Sequence, residues 1–204
     1  MTGKGERTKA VVAERAAEVF NRMGYARTTM RDLVDHIGLE RGGIYNHFDG
    51  KEALALAAFD HAAGLVRARV EAAFDRLATE PDALTRLDAL VDVFAGTVTD
   101  PPLPGGCPVL NAAVESADVF PALRERARAA MDEWARVIAG TVKRGVAAGQ
   151  LEAGTDHRRV AAVVIATLEG AVMMSRLYDD PTLMDTAVAQ VKGWVRALAV
   201  EATP

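Results

Sequence analysis

The chain has 204 residues, half of them hydrophobic and a quarter charged, with a net charge of −4. That length buries a real core as one or two domains, and a wealth of Ala, Val, Leu, Arg and Glu with few aromatics points to an all-α fold. The longest apolar runs, such as Val160 to Ala166, fall short of the ~20 residues of a bilayer span, the N-terminus lacks a signal-peptide core, and the single Cys107 forms no internal disulfide, so a cytoplasmic protein with no membrane contact is expected.

Residues 1–60 carry 9 Lys/Arg against 9 Asp/Glu, so the excess of acid lies later in the chain. A neutral first part grips an anionic partner only through individually placed cations and oriented N–H groups. From Arg7 to Met23 the apolar residues Val12, Ala16, Phe20 and Met23 recur at helical spacing, and Gly24 is a stop signal. Lys4, Arg7 and Lys9 read as a solvated basic tail or as an arm toward a polyanion.

Thr29 followed by Asp32 is a capping-box variant that opens a short helix with Met30, Leu33, Val34 and Ile37 on one face and Gly38 at its end. Glu40 and Arg41 open a third segment in which only Ile44 and Phe48 have core spacing. This leaves Arg41, Gly42, Gly43, Tyr45, Asn46 and His47 turned outwards. Two short helices joined by a glycine turn, the second polar outwards, match the helix-turn-helix geometry that enters a DNA major groove, although many helical hairpins share the pattern.

Asp49-Gly50 marks a turn, and Lys51 begins a long helix to about Leu77. Further helices are expected at 83–98, 107–117, 120–151, 156–178 and 181–201, about nine in all. The last two carry more apolar residues than one partner helix needs, among them Val164, Leu168, Met174, Val191 and Val195, and Gly170 and Ala171 permit close approach. Part of both stripes is ordinary core.

The run from Thr28 to Leu54 (TTMRDLVDHIGLERGGIYNHFDGKEAL), with the preceding Ala16 to Tyr25, closely resembles the N-terminal signature of the TetR family. The resemblance implies a helix-turn-helix domain over 1–50, a variable effector-binding and dimerisation domain over 51–204, and repression of a palindromic operator. It implies a homodimer through the last two helices that releases double-stranded DNA when a small molecule binds. It makes Thr29, Tyr45, His47 and Lys51 phosphate contacts and Arg41 the guanine reader. Asn46 is then an adenine or phosphate contact, and Gly42 and Gly43 allow close backbone approach. Many relatives carry threonine at Gly43, and Asn46 and His47 replace family-typical aromatics, so the resemblance does not fix the base preference.

For the effector, large or soft residues on the central helices are candidates: Phe94, Leu110, Val114, Met131, Trp134, Ile138, Met173 and Tyr178, with Asn111 and Glu115 as polar contacts and a largely apolar ligand. Most of these also read as core. Cys107, after Pro104-Gly-Gly at a helix start, reads as a packing residue or as a redox or electrophile sensor. No cofactor or metal is expected, since the four histidines lack metal spacing. The enzyme class lacks GxSxG, Walker, GxGxxG and HExxH motifs. The other alternative is a helical adaptor whose helix-turn-helix has lost DNA, with Glu40 repelling phosphate.

Overall fold

The computed structural model describes residues 3–200, apart from the Lys4 side chain. Among these residues there are nine helices: α1 Lys4–Met23, α2 Met30–Ile37, α3 Arg41–Tyr45, α4 Lys51–Arg76, α5 Ala83–Thr99, α6 Pro108–Ser116, α7 Pro121–Ala147, α8 His157–Tyr178 and α9 Thr182–Arg196. The expected all-α fold of nine helices is therefore observed. Since α1 already begins at Lys4, Arg7 and Lys9 lie on a helix instead of an arm, and the Lys4 side chain lies outside the described residues.

Packing gives two compact units: unit 1 is Met1–Val66 with Pro101–Ala130, and unit 2 is Arg67–Asp100 with Met131–Pro204. The packing division is thus not the functional division expected at Lys51, because α6 and the start of α7 belong with α1 to α3. In unit 1, α1 packs on α2 and α2 on α3. Val12, Ala16, Phe20, Leu33, Ile37 and Ile44 are all buried there, each large side chain stabilising by about 1.5–3 kcal/mol. Phe20 stacks on Tyr25 with ring centroids 5.1 Å apart.

Asn21 is the polar centre of unit 1. Its amide donates to the carbonyls of Pro104 and Gly106, both at 3.0 Å, and its Oδ1 accepts from Asn111 at 2.9 Å. A buried amide is tolerable only when its donors and acceptors are paired in this way.

In unit 2, α5 packs on α8 and α9, and α8 on α9. Phe94 meets Trp134 edge to face at 5.1 Å, the geometry aromatic quadrupoles favour. The last helix ends at Arg196, before the expected Glu201, which lies outside the described residues. The chain beyond it pairs as an extended bridge: Glu152 N donates to Leu198 O at 2.9 Å and Val200 N to Gln150 O at 3.0 Å. Likewise α7 stops at Ala147, short of Leu151, because Gly149 turns with φ +69° and Gln150 N bonds back to Gly145 O.

With a mean hydropathy of 1.7, α8 has the length and composition of a membrane span, which the short apolar runs had argued against. Its Val160, Val164, Leu168 and Val172 are buried within unit 2, as in the core helix of a globular fold.

Candidate nucleic-acid interface

The reading element is assembled from its caps. Thr29 Oγ1 accepts from Asp32 N at 3.2 Å, while Thr29 N donates to Asp32 Oδ2 at 2.8 Å, so the capping box read from the sequence is complete. The hydrogen bonds from Thr29 hold the Asp32 carboxyl below its ordinary pKa. At the other end Gly38 adopts φ +72° and its N–H reaches Val34 O, which satisfies an orphan carbonyl. Arg15 donates to Ile37 O at 2.6 Å and ties the end of α2 to α1. His36 lies 3.4 Å from Glu18 on α1, a structural contact.

The helix α3 has only five residues, so Asn46 and His47 lie in the turn after it, beyond its last residue Tyr45. Ile44 and Phe48 are buried and anchor the element, whereas Arg41, Gly42, Tyr45 and Asn46 are exposed and His47 is half-buried. Arg41 sits over the Tyr45 ring at 5.4 Å, and its guanidinium donates to the Tyr45 hydroxyl at 3.4 Å. A flexible side chain is thereby held along α3 before any ligand arrives.

Neither Gly42 nor Gly43 has a positive φ, and a Cβ at Gly42 would meet nothing within 4 Å. Internal packing does not require glycine at this exposed position. Lys51, the first residue of α4, donates to Ala26 O at 3.2 Å, which fixes its ammonium beside the turn leading to Thr29. Lys9 lies over the Phe48 ring at 5.4 Å.

Sequence reasoning named Glu115 as a polar effector contact and missed its role as a clamp. Its Oε2 accepts from Tyr25 N at 2.7 Å and from Ala26 N at 3.4 Å, clamping α6 to the turn before α2. Gly24 makes room for it, since a Cβ there would lie 2.7 Å from Oε2 and φ is +90°. Burial, reinforced by the Glu115 charge, raises the Tyr25 phenol far above its ordinary pKa and keeps it neutral. The available signal was the one charged residue of α6 together with a glycine at the end of α1.

The expected effector residues divide between the units. Phe94, Trp134 and Ile138 are buried together with half-buried Met131 in unit 2, while Leu110 and Asn111 are half-buried in unit 1. Cys107 is buried at the N-cap of α6, where its sulfur accepts from Leu110 N at 3.4 Å. Asn111 and Glu115 are engaged by α1 and the turn after it. Val114, Met173 and Tyr178 are 72%, 55% and 66% exposed. These three lie at the surface of the single chain, while Val109 and Ala112 on α6 and Val172 and Ser175 on α8 are buried. Ala171 is likewise buried, so of the two small residues only Gly170 leaves space at the surface.

This arrangement has close counterparts among known proteins. Residues 13–58 match the family model for bacterial regulatory proteins of the tetR family, and residues 83–191 match the tetracyclin repressor-like C-terminal domain. A TetR transcriptional regulator from Chloroflexus aurantiacus is 43% identical over 96% of this chain and 98% of that one, with a TM-score of 0.91. An HTH-type transcriptional regulator of Mycobacterium tuberculosis is 29% identical over 95% of this chain and 96% of its own length. CifR, a TetR family regulator solved in complex with a 26-base-pair operator DNA, is 24% identical over 89% of this chain and 93% of its own, with a TM-score of 0.75, and shares the fold. The two matched models, the 43% identity and the helix-turn-helix built around Thr29, Arg41 and Lys51 together make the chain a member of the TetR family of bacterial transcriptional regulators.

Proposed function

We propose that the protein is a cytoplasmic, ligand-responsive repressor that holds a palindromic operator as a homodimer and leaves it when a small, largely apolar molecule binds. The carrying observation is α3 with the turn after it, where buried Ile44 and Phe48 leave Arg41, Tyr45 and a bare backbone at Gly42 to the outside, with Lys51 fixed beside the turn leading to α2. Arg41 reads guanine O6 and N7. Thr29, Tyr45, His47 and Lys51 take phosphates, Asn46 an adenine or a phosphate, and Gly42 and Gly43 let the duplex come close.

Homodimerisation is supported by α8, where Val163, Met173, Met174, Leu177 and Tyr178 are exposed along one helical stripe. Residues 163, 166, 170, 173 and 177 are spaced to fall on one face, opposite the buried Val164, Leu168 and Val172. A palindromic operator calls for two recognition helices ~34–36 Å apart, the spacing of successive major grooves, and therefore for two copies of the chain. Phe94, Met131, Trp134 and Ile138 in unit 2 form the apolar set for the effector, and a ligand that favours a different helix spacing releases DNA by shifting the population.

Operator selection followed by anisotropy titration tests the reading. A short palindrome is expected to bind well above random duplex, with affinity falling as salt rises. Arg41→Ala should cost about 1–3 kcal/mol at the cognate sequence and relax preference. Lys51→Ala should weaken every duplex alike and lower the salt slope by about 1. Equal binding to selected and random DNA by the parental protein would instead favour the adaptor reading, with exposed Glu40 beside Arg41 repelling phosphate.

A further inference from the structure

Unit 1 contains a cavity of about 480 Å³ walled by the turn after α1, the start of α4, the end of α6 and the start of α7. It is separate from the Phe94 and Trp134 cluster, which belongs to unit 2. Its volume falls within the range of small-molecule sites.

The lining is chemically mixed. Its apolar part is Val119, Phe120, Leu123 and Ala55, of which Val119 is 71% exposed. It also holds three carboxylates, Asp49, Glu52 and Glu115, against one cation, Lys51, which is already turned to Ala26 O. Both backbone hydrogen bonds to Glu115 fall on Oε2, so Oε1 keeps its acceptor capacity. Ser116 also lines the wall, but it is only 1% exposed and its hydroxyl is shielded from the cavity.

We propose that this cavity is a second ligand site, taking a small amphiphile with a protonated amine at one end and a compact apolar body, and that its occupancy loosens the DNA grip. The second half rests on the DNA-binding reading above. The amine faces Glu115 and the neighbouring acids, and the apolar body lies on Val119 and Phe120. The site shares its wall with Lys51 and with the Tyr25–Ala26 backbone that leads to Thr29. A cation bound there displaces Lys51 and loads the Glu115 clamp, so ligand and phosphate contacts compete for one arrangement of the turn.

The test uses the full-length, DNA-free protein with 4-phenylbutylammonium and its charge-reversed counterpart 4-phenylbutyrate, read by amide chemical shifts. The amine is expected to shift Ala26, Gly50 and Ser116 saturably, and the carboxylate is expected to leave them in place. Glu115→Gln keeps an acceptor for Tyr25 N–H but removes the charge, and should weaken the amine at least tenfold. Val119→Arg, at an exposed position that does not threaten folding, should block it as well. Shifts confined to unit 2, equal binding of the carboxylate, or unchanged affinity in both variants would overturn the site. In a second arm the amine should lower operator affinity of the parental protein and not of Val119→Arg. Binding of the amine without any operator binding by the parental protein would count against the repressor reading alone and leave the site standing.

Discussion

Arg41 and Tyr45 stand one turn apart, and their stacking means that part of the entropy of ordering a long side chain is lost before DNA is met. Gly42 next to them makes the opposite contribution. A glycine inside a helix costs about 1 kcal/mol relative to alanine, and nothing in the fold requires it here. Gly42→Ala should therefore leave the melting temperature unchanged or raise it, while lowering affinity for all duplexes. A variant that melts higher and binds DNA as before would remove the close-approach argument. Residues with a local role were the most legible in the sequence: the Thr29 and Asp32 cap, Gly24 and Gly38 as stops, and the split between buried Ile44 and exposed Tyr45 follow from neighbours within four positions. Glu115 was not legible as a clamp, because its partners Tyr25 and Ala26 are distant in sequence and offer backbone N–H groups that every residue has.

At the scale of the element, α2 depends on its cap more than a longer helix would, since eight residues leave a large share of its backbone groups at the ends. Thr29→Ala should cost about 1 kcal/mol, read as a lower urea midpoint at unchanged slope. The Asp32 carboxyl is more acidic folded than unfolded, so the cap's contribution is fully present above the ordinary carboxylate range and is lost as pH falls through the lowered value. Circular dichroism during acid titration should show Asp32→Asn closing its stability gap to the parental protein as the pH drops, with no such convergence at neutral pH. Helix existence was well signalled by periodicity, and boundaries less so. The ends of α7 and α9 were overestimated because the bridge between Leu151 and Ala199 is a pairing of residues far apart in sequence, which no local period announces. The brevity of α3 was similarly hidden, its polar residues reading equally well as helix or turn.

For the whole molecule, the apolar surplus on the last two helices was visible in the sequence, but which residues point inwards was not. Ala171 faces the core, whereas Met173, Leu177 and Tyr178 face outwards, a distinction set by the packing of α5 and α9 on α8. The double substitution Met173→Glu with Leu177→Glu should leave the fold intact and convert a dimer to monomers in sedimentation velocity, with full-palindrome affinity falling toward that of a half-site. A dimer persisting through both charges would move the interface elsewhere. The small bridge beyond α9 has a bearing on this association. By joining the chain before α8 to the chain after α9, it ties the two ends of the hairpin together through two backbone hydrogen bonds. In the proposed homodimer, helices held in this way before they meet would lose less freedom on association, leaving more of the contact energy as affinity.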